Sequence, residues 1–277
     1  MTVPSLSAPT KHGHLATDHI SNGPLQQLDE LQRLTEIAID SYSSASCVPL
    51  SVVIPVYNEP KTVLAIVRQV RELPIEKQII VVNDGSTDET RDNLATLDAY
   101  EDVLVIHHDR NQGKGAALRT GFAAAEGEII IIQDADMEYR PTDILRVIKP
   151  LQANLCDVVY GSRYLGDSKQ DPSRLHRFGN WFLTRFSNLL TGYRLTDMET
   201  CYKAFRREVI ASISIEQSRF GFEPEITAKI AQRGMKILEV PVSYCSRSRA
   251  DGKKIGFKDL INTLYCIVRY NVWNDNS

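Results

Sequence analysis

The stretch GEIIIIQDADMEYRP, Gly127 to Pro141, decides the fold. Its four consecutive isoleucines, Ile129 to Ile132, carry no polar alternation. A β-branched run of this kind marks a strand buried on both faces, as in a parallel sheet. The run ends in Asp134-Ala135-Asp136. Along an extended chain, residues two apart share a face, so both carboxylates point the same way at the carboxyl end of a central strand. Open α/β sheets place ligands there. Two like charges that close are costly unless a cation or a proton offsets them. A hard divalent ion is the natural partner, with Mg²⁺ keeping waters and phosphate oxygens in its remaining positions. The plainer alternative is an acidic turn capping the next helix.

Outward from this strand, the pattern repeats on both sides. SVVIPVY opens the core after Leu50 and reads as a strand. Asn58-Glu59-Pro60 turns into a helix over 61–73. Strand 78–82 follows, then Asn83-Asp84-Gly85-Ser86-Thr87-Asp88 with helix-capping chemistry, a helix to about residue 100 and a strand over 103–107. Asn111-Gln112-Gly113-Lys114-Gly115 is a tight turn into an Ala-rich helix, 116–125. After the isoleucine strand come a helix over 142–153 and a strand over 157–160. Strands alternating with helices at this spacing predict βαβ units and a mostly parallel sheet with right-handed crossovers. Beyond Gly161 the rhythm loosens. Helices are expected over 178–190, 206–213, 223–233 and 260–273, and strands over 202–205 and 237–244. Residues 247–254 form a basic loop.

Composition narrows the class. At 277 residues with 43% hydrophobic and 24% charged content, the chain can bury a sizeable core. A net charge of −3 excludes bulk nucleic-acid binding. Five scattered cysteines without a CxxC pair point to neither a zinc site nor a disulfide framework, so a cytoplasmic setting is the simplest. No apolar stretch approaches the roughly 20 residues that span a bilayer. Residues 1–48 read as an N-terminal extension, a disordered tail with one helix from about 24 to 41. Residues 49–273 form the main domain, ending in an amphipathic helix.

Three loops follow the first, second and fourth strands and carry Asn58-Glu59, Asp84-Gly85-Ser86 and Asp134-Ala135-Asp136. Right-handed winding gathers them along one sheet edge, with helix N-termini aimed into the crevice. Such a crevice suits a ribonucleoside diphosphate. No GxxxxGK[ST] is present, so this is not a P-loop.

In order, VVIPVYNE, VVNDGSTDET, NQGKGAALRTGF, QDADMEYRP and YGSRYLG resemble the inverting glycosyltransferases of family 2, with the GT-A fold. HRFGN (176–180), TDMETCYKAFR (196–206), FGFEPE (220–225), LEVPVSY (238–244) and residues 247–256 resemble the dolichyl-phosphate mannose synthase branch. The resemblance covers about residues 50–270. It implies a GT-A nucleotide-diphospho-sugar transferase fold, a Rossmann-like, mostly parallel central sheet flanked by helices. It places Pro55, Tyr57, Glu59, Asp84, Lys114 and Ala135 at the nucleotide sugar, with Asp84 on the base or ribose. Asp134, Asp136 and Glu138 would hold Mg²⁺ or Mn²⁺. Glu138 stands where the resembling mannose synthases have Gln. Arg163, Arg177, Arg247 and Lys254 match basic positions around the donor and acceptor phosphates, a task that suits arginine.

The implied reaction is a single displacement at the anomeric carbon of a hexose, with GDP-mannose or UDP-glucose as donor and polyprenyl phosphate as acceptor. Asp136, Arg163, Asp197 and Arg247 are the expected catalytic set. A phosphate acceptor needs no general base. A hydroxyl acceptor on a glycan, lipid or small molecule does, and Asp197 or Glu199 would serve. Glu223 and Glu225, in a helix's first turn, suit its dipole. A non-catalytic nucleotide-sugar-binding subunit is the third reading. Trp181, Phe182, Phe186, Leu189 and Leu190 beside arginines suit an interfacial helix, so a peripheral membrane contact or a membrane partner is expected; the alternative is a stripe packed on the core.

Overall fold

The structure is a computed structural model and describes residues 50–166, 174–219, 221–246 and 257–273. The predicted N-terminal extension and its helix lie outside the described residues, as do Arg247 and Lys254.

Seven strands form one sheet: β1 (Leu50–Val56), β2 (Lys77–Asn83), β3 (Val103–His107), β4 (Ile129–Ile132), β5 (Val158–Ser162), β6 (Lys203–Arg206) and β7 (Ile237–Pro241). Their order is β3-β2-β1-β4-β6-β5-β7. Strands β1 to β4 run parallel, with Val53 beside Ile80 on one side and Ile132 on the other. The isoleucine strand is buried along its whole length, as its unbroken apolar run requires. Its place at the middle of the sheet explains why no polar alternation is tolerated: both of its faces are covered.

Helices α1 (Val63–Arg71), α2 (Thr90–Ala95), α3 (Lys114–Ala123) and α4 (Ile144–Gln152) link these strands. The expected single helix to residue 100 ends at Ala95 and continues as a 3-10 turn, Thr96–Ala99. The later helices are α5 (Arg174–Thr191), α6 (Arg207–Ala211), α7 (Phe222–Gln232) and α8 (Phe257–Val272).

One feature departs from a plain βαβ repeat. Strand β6 runs antiparallel to both β4 and β5. An antiparallel neighbour begins at the end where its partner finishes. Residues 196–202, which precede β6, therefore lie at the carboxyl ends of β4 and β5, beside the Asp134-Ala135-Asp136 turn. A pattern of apolar residues encodes burial but not strand direction, so this placement is not visible in the sequence.

At the turn into α3, Gly113 has φ +102 and ψ 161, a region essentially closed to other residues. A Cβ there would stand 2.3 Å from the Ser218 carbonyl oxygen. Gly192 also has positive φ, at +77, but nothing lies within 4 Å of its Cβ position. Gly113→Ala is therefore expected to cost more than the roughly 1–3 kcal/mol of backbone strain alone. Gly192→Ala is expected to cost about 1 kcal/mol. Urea denaturation of the two variants checks this, and equal losses would contradict it.

Candidate active site

The loops after β1 and β2 are stitched together before any ligand arrives. The Asn58 backbone N–H donates to Ser86 Oγ (3.0 Å), and the Thr87 N–H donates to Asn58 Oδ1 (2.9 Å). Asn58 itself has φ +54, a conformation that asparagine tolerates better than most residues. Beside this pair, Pro55 is half-buried and Tyr57 is exposed. Glu59 Oε2 accepts from Thr62 Oγ1 at 3.0 Å.

Asp84 lies one layer deeper, only 3% exposed. Its oxygens accept from the backbone N–H groups of Gln112 (2.9 Å) and Gly113 (2.7 Å). His108 Nδ1 donates to the same carboxylate at 2.8 Å, and its other ring nitrogen bonds Thr120 Oγ1 in α3. Asp84 thus clamps the turn that opens α3. Its reading as a direct contact to base or ribose gains nothing from this geometry.

That clamp positions Lys114 at the first turn of α3. The Lys114 ammonium lies 3.0 Å from Asp134 Oδ1 and 3.5 Å from Glu223 Oε1 in α7. Burial alone would lower its pKa, but the facing Asp134 and Glu223 hold it well above the ordinary lysine value. Lys114 is a fixed cation at the aspartate pair. Arg119, one helical turn on, donates to the carbonyls of Glu216 (3.3 Å) and Gln217 (3.0 Å) and to Ser218 Oγ (3.2 Å). It ties the segment before α7 to α3.

Asp134 and Asp136 both remain half-buried at the end of β4, with Ala135 buried between them. Asp136 Oδ1 accepts the Glu138 N–H at 3.0 Å, which shapes the turn. Among the described residues, no three His, Cys, Asp or Glu side chains are gathered to hold a metal ion. The expected third ligand, Glu138, is 9% exposed, and its carboxylate accepts from Tyr244 Oη at 2.7 Å. Burial, then the neighbouring Glu138, push the Tyr244 pKa up. Of the expected three, Glu138 is the most buried and gives one oxygen to Tyr244, while Asp134 and Asp136 are the more accessible pair. Two hard oxygen donors with room for phosphate oxygens and waters still fit Mg²⁺ or Mn²⁺.

Arg163 directly follows β5. Its side chain grips Asp197 through Nε–H to Oδ2 and Nη2–H to Oδ1, both 2.7 Å, and its backbone N–H adds a bond of 3.0 Å. Burial works against the guanidinium, but Asp197 more than offsets it, and the Arg163 pKa is held well above its usual value. Asp197 is 0% exposed. As a candidate general base it is corrected: with both oxygens taken by Arg163 and no access to the crevice, it anchors the arginine. Glu239 in turn fixes this segment, accepting from the backbone N–H of Thr196 (2.8 Å) and of Asp197 (3.0 Å). Burial pushes Glu239 up to about 7, against the pull of those donors. Arg177, near the start of α5, is half-buried, and no hydrogen bond or ion pair among the described residues ties it to the crevice.

Sequence reasoning missed Lys203. This lysine is 0% exposed at the start of β6; its ammonium donates to the carbonyls of Met198 (2.9 Å) and Thr200 and lies 4.5 Å from the Tyr160 ring centre. A lysine between Tyr202 and Ala204 in a strand is the signal that could have found it, because charges are almost never fully buried without partners.

The same architecture recurs in a glucosyl-3-phosphoglycerate synthase of M. tuberculosis, with a TM-score of 0.64 over 88% of this chain and 86% of that one, at 19% identity. The fold is thus of the GT-A type. The chain belongs to Glycosyl transferase family 2, whose family model matches residues 51–214. Among curated relatives, a polyprenol monophosphomannose synthase of Mycolicibacterium smegmatis is 31% identical over 219 residues, covering 74% of this chain and 80% of its own. An undecaprenyl-phosphate 4-deoxy-4-formamido-L-arabinose transferase of Proteus mirabilis is 31% identical over 229 residues. That match covers 78% of this chain and spans 65% of the relative's length.

Proposed function

We propose that this chain transfers a hexose, mannose or glucose, from a nucleoside-diphosphate sugar to a polyprenyl phosphate at a membrane surface. One observation carries the reading. The two relatives are named for different sugars, yet both names contain a polyprenyl acceptor. The acceptor is the shared element, and the sugar is the variable one.

The site supports this chemistry. Asp134 and Asp136 would hold the divalent ion; UDP complexes of the M. tuberculosis synthase contain Mn²⁺ or Mg²⁺. When bound, that ion neutralises charge on the donor diphosphate. Lys114 adds a fixed positive charge at the same place, and Arg163, locked by Asp197 at the end of β5, is a second fixed cation. Electrostatic stabilisation of a leaving diphosphate needs such preorganised cations. A phosphate acceptor is already an anion and needs no base, which agrees with the withdrawal of Asp197 from the crevice.

An exposed surface on the later helices suits a lipid. On α5, Phe178, Trp181, Phe182 and Leu189 are exposed along one face, and Phe178 stacks on Trp181 at 5.8 Å. Ile261, Tyr265 and Val272 repeat the same spacing on α8, which packs on α5. An apolar patch of this extent on two neighbouring helices marks an interaction surface. No helix among the described residues is long and apolar enough to cross a membrane. Peripheral contact is the mode that these faces favour.

Incubation with undecaprenyl or dolichyl phosphate, Mn²⁺ and either GDP-mannose or UDP-glucose, followed by mass spectrometry of the lipid fraction, tests the reading. A polyprenyl phosphate heavier by one hexose is expected with one of the donors. Transfer to hydroxyl acceptors alone would overturn it.

A further inference from the structure

The segment before β6 is rigid. The Met198 N–H donates to Thr184 Oγ1 (3.1 Å), Thr200 Oγ1 donates to the Gly161 carbonyl (2.5 Å), and the Cys201 N–H donates to Tyr139 Oη (3.2 Å). Thr196, Asp197, Thr200 and Lys203 all have side-chain partners within the protein. Glu199, held in the middle of this segment, differs. The side chain is half-buried, and its Oε1 is sealed from solvent with no hydrogen-bond partner. A buried carboxyl oxygen without a donor costs about 1–3 kcal/mol or more, and such a group calls for an explanation.

The cations nearby are already committed. Lys203 serves two carbonyls, Arg163 serves Asp197, and Lys114 bridges Asp134 and Glu223. Lys114 and Arg163 face Asp134, Glu223 and Asp197, whereas no cation forms an ion pair with Glu199 among the described residues; Lys203 acts on it only through space. Burial, and next the like charge of Glu223, push the Glu199 pKa up against the pull of Lys203 and Arg163, which favours the protonated form. A protonated carboxyl presents one donor and spare acceptor capacity at a fixed point. A phosphate would be repelled by the acids around it, and a further cation would compete with three already in place. A neutral hydroxyl, which also donates and accepts, matches.

We propose that Glu199, supported by Glu223, is a specificity-determining residue that binds a hydroxyl of the donor's hexosyl group. This rests on the nucleotide-sugar reading above. It assigns sugar choice to the segment before β6, and leaves the diphosphate to Asp134, Asp136 and Lys114.

Calorimetric titration separates the two ideas. UDP, UDP-glucose, GDP and GDP-mannose are titrated, with Mn²⁺, into the wild type, Glu199→Ala and Glu199→Gln. In Glu199→Ala, affinity for the bare nucleoside diphosphate is expected to stay within about twofold. Its affinity for the matching nucleotide sugar is expected to fall at least tenfold, with Glu199→Gln in between. The thermal midpoint of Glu199→Gln at pH 8 serves as the fold control and is expected to stay close to that of the wild type, since the amide keeps the shape of the carboxyl. Equal losses for diphosphate and sugar nucleotide, or no loss for either, would overturn the proposal. So would unchanged sugar-nucleotide binding with turnover lost only toward hydroxyl acceptors, the signature of a general base. If the wild type binds no sugar nucleotide, the reading of function falls first and this inference with it.

Discussion

Asp197→Ala is expected to destabilise the folded chain by about 3–5 kcal/mol, the cost of leaving one partner of a buried ion pair alone. The reason is geometric. Asp197 is fully buried and receives three N–H groups of Arg163, two from the side chain and one from the backbone. Without the carboxylate, the guanidinium keeps its burial and loses the charge that offsets it. For a domain of this size the thermal midpoint should fall on the order of 10 °C. Arg163→Ala should also destabilise, but the double variant should lose less than the sum, because each single change strands the other charge. Equilibrium urea unfolding of the three variants checks this. A loss under about 1 kcal/mol for Asp197→Ala, with turnover abolished, would instead favour a direct chemical role for Asp197.

The second large effect lies at the aspartate pair and has the opposite signature. Asp136→Asn should leave stability within about 1 kcal/mol, because its side chain is only part-buried at a strand end, and Asp134→Asn should cost more because it strands Lys114. Sugar transfer should fall roughly 10²–10³-fold or more, the loss typical of removing one electrostatic group at a developing charge. Asp134→Asn also removes the main partner of Lys114, which lies 3.0 Å away. Glu138→Gln provides the contrast. Its carboxylate is turned to Tyr244, so its effect on rate should be far smaller than that of either aspartate. Initial rates for the three variants decide between a two-carboxylate and a three-carboxylate site. Equal losses would restore Glu138 as a ligand.

The isoleucine run shows how much of this was legible. Four apolar β-branched residues ending in two aspartates identify a central strand and its carboxyl end, because burial on two faces leaves a direct mark on residue type. The turn at Gly113 is legible for a similar reason, since a backbone position closed to other residues selects glycine. Strand β6 was less legible. Its apolar pattern fits either direction, and only the antiparallel pairing brings residues 196–202 to the carboxyl ends of β4 and β5. The roles of single carboxylates were legible least. Asp84, Glu138 and Asp197 all read as ligand-facing acids, yet the structure commits their oxygens to protein donors: the α3 turn, Tyr244 and Arg163. Residue type encodes charge; the partner that charge takes depends on contacts 28 to 106 residues away in sequence.

The carboxyl ends of β1, β2 and β4 are proposed to form a metal-dependent nucleoside-diphosphate site. Titration of UDP and GDP into the wild type and Asp136→Asn, with and without Mn²⁺, tests it most directly. One diphosphate should bind the wild type at least tenfold more tightly with Mn²⁺ than without, and this gain should vanish in Asp136→Asn. Binding that is indifferent to the metal, or a metal-dependent gain that survives the substitution, would contradict the claim.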